Sequence, residues 1–269
     1  MSDRDTLLAA YDNQLRTDAE VSGALSVERH GPLLWAHFPH GRGFVTYRTL
    51  EGCSRTDLAT LVAESVAHFE YDAATTTFEW KTRGHDVAPG LAELLIDAGC
   101  VAEEPESVMI GRAETLAVEV PIPAEVTLRS VSAYDDVLAM TTMQGVVFGD
   151  PPEQAVAMAD AAMDRLSADA IPGAAMWIAE AGSSVICAGR VDPVAGTDFA
   201  GIWGGSTLPQ WRGRGIYRAL TARRAQSAMA VGKTLINSDS TEYSRPILER
   251  YGFLKVTTTT PYVWCRTLA

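Results

Sequence analysis

The stretch that most constrains this chain is Gln210-Trp211-Arg212-Gly213-Arg214-Gly215-Ile216-Tyr217, set between a strand-like run and a helical pattern. Before it, Phe199 to Leu208 is apolar and glycine-containing; after it, Ile216, Leu220, Ala225 and Met229 fall on one helical face. At the first turn of a helix the backbone N–H groups lack internal partners and the macrodipole is positive, so an anion is stabilised there. Gly213 and Gly215 accept positive φ and allow a phosphate to approach the backbone closely. Arg212, Arg214 and Arg218 add positive charge, with Arg223 and Arg224 two turns on. An isolated Arg-Gly-Arg-Gly is more often a turn with a solvated basic face, so context has to decide.

Two nucleotide motifs fail on inspection. Val231-Gly232-Lys233-Thr234 looks like the end of a Walker A loop, but Ser227 stands where its first glycine belongs. The dinucleotide fingerprint needs a third glycine where Arg218 stands.

The loop resembles instead the acyl-CoA loop of the GNAT superfamily of N-acetyltransferases, Gln/Arg-x-x-Gly-x-Gly/Ala, which joins the fourth strand to the third helix. Two registers fit. From Gln210 all three fixed positions match, at Gln210, Gly213 and Gly215; from Arg212, Arg212 and Gly215 match while Tyr217 replaces a small residue. Downstream, Ser244 to Phe253 resembles the family's fourth helix and terminal Gly-Phe, with Gly252 as an αL helix stop. Two motifs in the right order are more specific than either alone. The resemblance implies an α+β fold, a mixed and mostly antiparallel sheet flanked by helices, that splays between its fourth and fifth strands to admit the pantetheine arm. It also implies acetyl-CoA as cosubstrate and residues 207, 208, 210 and 212 to 217 as its binding positions: Thr207, Leu208, Gln210, Arg212, Gly213, Arg214, Gly215, Ile216 and Tyr217.

A complete unit is expected over residues 118–269, opening at the proline-bearing connector Val118 to Pro123. Strands are predicted at Glu125–Val131, Ala174–Ala181, Ser184–Val191, Asp198–Leu208, Thr234–Asp239 and Leu254–Trp264. Helices are predicted at Ala133–Phe148, Pro152–Ser167, Gly215–Val231 and Ser244–Tyr251. Residues 1–117 repeat the later half of this order: a strand-rich Trp35–Leu50, a helical Arg55–Glu70, a strand at Thr75–Lys81, a helix at Pro89–Ala98 and a strand at Glu106–Ile110. Gly99-Cys100 parallels Gly252-Phe253, so this half reads as a degenerate, partial GNAT-like unit. Its would-be phosphate loop, Thr49 to Ser54, has one glycine and brings Glu51, so no CoA is expected there.

All five histidines lie in the first half. His37-x-x-His40 lacks a third ligand at a persuasive spacing, so packing or surface roles are expected and no metal. Phe78-Glu79-Trp80-Lys81 alternates like a half-buried strand, with Trp80 in a core. Cys53, Cys100, Cys187 and Cys265 are scattered, as reduced thiols would be. Met1 to Asp5 is polar and no apolar run is long enough to span a bilayer, so a cytoplasmic protein without membrane association is expected. The net charge of -12 is concentrated in residues 1–117, where 19 acids face 9 bases. Such acidity opposes sequence-independent nucleic-acid binding and leaves room for a cationic substrate, although an acidic surface also simply aids solubility.

Acyl transfer to an amine of pKa about 10.4 requires a free lone pair, present in roughly one molecule in 2,500 at pH 7; recovering it is worth about 4.6 kcal/mol. Residues 118–269 contain no histidine, so a carboxylate, or water polarised by one, must take the proton. Asp239, ending the fifth predicted strand, is the candidate, with helix capping as its competing role. The resemblance assigns stabilisation of the thioester oxygen to a backbone N–H near Thr207 or Leu208. It puts Leu248 where relatives carry a tyrosine acid, with Tyr251 and Tyr217 read as packing. Phe148 and Asp150, with Glu153 nearby, are candidates for an acceptor amine, although Asp150 is equally placed to start the second helix. The expected function is transfer of acetyl from acetyl-CoA to a primary amine of a small molecule or peptide, by a monomer or homodimer. The alternatives are a non-catalytic CoA-binding regulatory module and transfer to oxygen or sulfur.

Overall fold

The computed structural model describes residues 2–167 and 171–266, which divide into two compact units. The first holds residues up to Met109 together with Asp239–Pro246 and the segment from Lys255; the second holds Ile110–Ser238 and Ile247–Leu254. The elements are α1 (Asp3–Gln14), β1 (Ser26–His30), β2 (Leu33–Phe38), β3 (Arg42–Tyr47), α2 (Arg55–Tyr71), β4 (Thr77–Arg83), α3 (Leu91–Asp97), β5 (Val101–Ala102), β6 (Glu106–Arg112), α4 (Ala113–Leu116), β7 (Val126–Val131), α5 (Tyr134–Phe148), α6 (Gln154–Leu166), β8 (Ala175–Ala181), β9 (Ser184–Pro193), β10 (Phe199–Thr207), α7 (Ile216–Ala230), β11 (Leu235–Ser240), α8 (Arg245–Tyr251) and β12 (Leu254–Cys265). No helix among the described residues is long and apolar enough to cross a membrane.

In the first unit β1, β2 and β3 form an antiparallel meander, β3 pairs in parallel with β4, and β12 adds antiparallel to β4. The crossover from β3 to β4 is α2, whose Leu58, Val62 and Phe69 pack with Trp35, Phe78 and Trp80 in one core. Trp80 is fully buried, as its alternation predicted. Ser54 starts α2 with a reciprocal capping box: its Oγ accepts from Asp57 N–H at 3.2 Å while Asp57 Oδ2 accepts from Ser54 N–H at 2.8 Å. Ser54→Ala is expected to cost about 1 kcal/mol, measured by urea unfolding.

The second unit repeats this order with more strands. β7, β8, β9 and β10 pair antiparallel in sequence, and β10 pairs in parallel with β11 through the α7 crossover. Val137, Met140 and Met143 of α5 and Ala159 of α6 pack over Met176 and Ile178, whereas Ile216 and Leu220 of α7 pack over Ala179 and Ile186. Every strand and helix expected in residues 118–269 is present within a few residues of its predicted ends.

Three features differ from expectation. The units do not meet at residue 117, because Thr259–Cys265 of β12 are the ladder partners of Thr77–Arg83, which places the last strand in the first unit. The helix α1 and the strand β1 were not anticipated: α1 buries only Leu7 and Tyr11, and β1 is exposed along most of its length. The buried stripe of α7 ends on Ala228 rather than Met229, which is exposed.

Candidate functional site

The second unit contains the glycine loop. β10 ends at Thr207, a tight turn covers Pro209–Trp211, and α7 begins at Ile216. Gly213 and Gly215 both have positive φ, 74° and 80°, so the glycines are required by the path of the chain. Gly215 is the N-cap of α7 and no side chain caps the first turn. The contrast with α2 is chemical: Ser54 and Asp57 occupy that helix N-terminus, whereas no side chain caps the first turn of α7. Around Gly213 there is open space for a β-carbon, while one on Gly215 would lie 3.1 Å from the Pro121 carbonyl oxygen. Such a cradle fits a pyrophosphate.

The arginines divide their work. Arg212 turns back and donates from Nε to the Thr207 carbonyl at 3.0 Å, bracing the loop against its strand. Arg214 lies over the Trp211 ring at 4.7 Å, and Arg218 over Tyr251 at 5.7 Å. Arg224, also singled out in the sequence, is fully buried: Nη2 donates to Thr221 Oγ1 at 3.1 Å, Nε has no partner, and the guanidinium lies 5.6 Å from the Tyr217 ring centroid. It fills the gap left by Gly189, where a β-carbon would come within 2.7 Å of Nη1.

β10 and β11 pair only from Phe199 to Gly201 against Leu235 to Asn237, so β10 leaves its parallel neighbour beyond Gly201. This is the splay expected between the fourth and fifth strands. Toward β9 the register shifts between Trp203 and Ser206, and within the shift Gly204 has φ 61° and its carbonyl accepts from Gln144 Nε2 at 2.5 Å. The N–H of Leu208 donates to Ile186 O at 2.9 Å, so that candidate donor is committed to the backbone; Thr207 is buried, its hydroxyl donating to Cys187 Sγ at 3.1 Å. Burial is the main reason the Cys187 thiol is pushed up to about 11, which keeps it unreactive.

Leu248 is buried, while the tyrosines read as packing come together: the rings of Tyr217 and Tyr251 are 6.2 Å apart. The Tyr217 hydroxyl lies against the shifted strand, where a β-carbon on Gly205 would be 2.5 Å away. Burial, then the neighbouring Tyr217, raises the pKa of Tyr251. Phe148 is 54% exposed at the end of α5, and Asp150 follows the αL residue Gly149 with its N–H on Gly145 O at 3.0 Å. The helix α6 starts later, after Glu153, so Asp150 does not cap it.

Asp239 belongs to the first unit, where its Oδ2 accepts from Lys81 Nζ at 2.8 Å with both side chains largely buried. Burial opposes the charged form of Lys81, but the Asp239 carboxylate acting together with Tyr11 and Glu20 holds the ammonium above the ordinary lysine range. Lys81 also lines a cavity of about 590 Å³ in that unit with Glu79, Glu103, Glu106, Glu242 and Tyr243. Burial raises the carboxyl pKa of both Glu79 and Glu106. Among the described residues no group of three or more His, Cys, Asp or Glu side chains is arranged to hold a metal, and the described cysteines are free thiols.

The architecture is that of the GCN5-related N-acetyltransferases, the GNAT fold. A GCN5-related N-acetyltransferase from Kribbella flavida superposes with a TM-score of 0.68 at 16% identity, covering 97% of this chain and 96% of that one. A tandem GNAT protein from the clavulanic acid biosynthesis pathway gives 0.61 at 13% identity, covering 99% and 97%. A GCN5-related N-acetyltransferase from Sphaerobacter thermophilus gives 0.62 at 13%, covering 87% and 76%. At these identities the likeness is one of fold. No protein-family model matches the sequence. No curated protein matches it either.

Proposed function

We propose that this protein is a cytoplasmic acyl-CoA-dependent N-acyltransferase that moves acetyl from acetyl-CoA to a primary amine of a small molecule or peptide. The observation that carries this reading is the first turn of α7, uncapped and entered through two left-handed glycines, directly after a strand that has parted from its neighbour. The N–H groups of Gly215, Ile216 and Tyr217 would hold the pyrophosphate, with Gln210, Gly213 and Arg214 beside them. The β10 edge beyond Gly201, which has left its β11 ladder, would meet the pantetheine amides. The cosubstrate supplies an activated thioester carbon; the chain supplies orientation and proton handling.

Asp239, whose Oδ2 accepts from Lys81 Nζ at 2.8 Å, is our candidate to take the ammonium proton, directly or through water. With Leu208 N–H committed, the backbone of Thr207 and of the shifted Gly204-Gly205 segment is left to meet the carbonyl oxygen. Phe148 and Asp150, accessible at the end of α5, are proposed to contact the acceptor.

The buried Leu248 favours a second reading, a CoA-binding regulatory module without turnover. Titration calorimetry with acetyl-CoA and CoA, followed by mass detection of products over an amine panel, separates the two. Binding with turnover supports the enzyme, binding without turnover supports the module, and no binding of either thioester or thiol overturns both.

A further inference from the structure

His37 on β2 and His68 on α2 come from different layers of the first unit, yet their Nε2 atoms stand 3.0 Å apart. The His37-x-x-His40 spacing pointed to a different partner; His40 instead takes a left-handed turn conformation, φ 63°. His37 Nδ1 faces Asp72 Oδ2 at 3.3 Å. Asp72 is itself fixed, accepting from Thr75 Oγ1 at 2.8 Å and from Ala74 N–H at 3.1 Å. With its ring proton on Nδ1, facing the carboxylate, His37 accepts a hydrogen bond at Nε2 from the Nε2–H of His68, and a metal held by both nitrogens would displace that proton. The same carboxylate-to-imidazole relay orients histidines that ligate metals.

His68 is held as firmly. Its ring stacks on Trp35 at 4.3 Å and meets Phe69 edge-on at 4.9 Å. Trp35 is pinned by its Nε1–H on Ser65 Oγ at 2.9 Å and by the stacked His30 ring at 4.1 Å. A cavity of about 470 Å³ lined by His37, His68 and Asp72 opens beside the pair.

We propose that His37 and His68 form a two-imidazole site for a divalent transition metal that favours right-angled coordination, Cu2+ or Ni2+, in preference to Zn2+. Metal–nitrogen bonds of about 2.0–2.1 Å to two atoms 3.0 Å apart subtend about 95°. That angle suits adjacent positions of a square-planar or octahedral ion, whereas a tetrahedral centre needs the nitrogens about 3.3–3.4 Å apart. The remaining positions open to the cavity, for water or an incoming ligand. Because the site bridges β2 and α2, the metal stabilises the folded first unit. This inference does not rest on acyl transfer.

Cu2+ outcompetes Zn2+ at most nitrogen sites whatever their shape, so the Ni2+ and Zn2+ comparison carries the geometry. Calorimetry on the full chain is expected to show one saturable Ni2+ site, with Zn2+ binding more weakly. Asp72→Asn is expected to lose about tenfold in Ni2+ affinity, and His37→Gln or His68→Gln more than that. His40→Gln is expected to bind as the parent does. In the Cu2+ electron paramagnetic resonance spectrum, splitting from two nitrogens is expected in the parent and from one in either ligand variant. Unchanged Ni2+ affinity in the double variant, or Zn2+ binding as tightly as Ni2+, overturns the proposal. The parent spectrum decides independently of how the variants fold, since absence of two-nitrogen splitting also overturns it.

Discussion

Gly215→Glu is expected to weaken acetyl-CoA affinity by at least about 100-fold relative to the parent protein in titration calorimetry, equivalent to about 2.7 kcal/mol. Three effects act together. At φ 80° an L-residue costs about 1–2 kcal/mol more than glycine. The new β-carbon meets the Pro121 carbonyl oxygen at 3.1 Å. The added carboxylate occupies the positive pole of α7 and repels phosphate, while its favourable interaction with the helix dipole helps the variant stay folded. Gly213→Ala is a milder companion, because its β-carbon enters open space and only the backbone penalty remains. Equal binding by the parent and Gly215→Glu would remove this loop from the cofactor site.

Asp239→Asn is expected to lose both activity and stability, the stability by about 3 kcal/mol, because it leaves Lys81 charged and largely buried without its carboxylate. Denaturant unfolding of Asp239→Asn, Lys81→Met and the double variant measures this, and the double variant should lose less than the sum of the single losses. The cycle also isolates chemistry from folding. A double variant that is stable but inactive implicates Asp239 in proton transfer, whereas an active one assigns Asp239 to structure alone. The pH dependence has a definite sign. The folded-state pKa of Lys81 is raised above its unfolded value of 10.5, so the stabilisation is complete below that value and lost only as pH rises through the folded pKa. Titration between neutral pH and pH 9 should leave this contribution unchanged.

The legible parts of the molecule are those fixed by local backbone chemistry. Gly213, Gly215 and Gly252 announce left-handed positions, and all three adopt them. The strands and helices around them carry apolar periodicities that burial preserves, as at Phe78 and Trp80. What stayed hidden depends on partners distant in sequence. Nothing in Tyr217 or Tyr251 alone indicates that their rings approach each other beside Gly205, and nothing in His37 selects His68 over His40. The capping box of Ser2 and Asp5 was a readable start for α1, but two buried residues give that helix too faint a stripe to notice. Likewise the splay of β10 was expected, whereas the commitment of Leu208 N–H to Ile186 follows only from register.

The placement of β12 sets an order of events during synthesis. The Thr77 hydroxyl bonds the carbonyl of Trp264, 187 residues further along the chain. When β4 leaves the ribosome its outer edge, carrying Phe78 and Trp80 in the same strand, has no neighbour yet, and everything up to Phe253 must be made before one arrives. An unpaired apolar strand held open that long is a target for chaperones and for pairing with other nascent chains. The half of the molecule translated first is therefore among the last to finish folding, and its yield in cells should depend on elongation rate and chaperone supply more than its equilibrium stability would suggest.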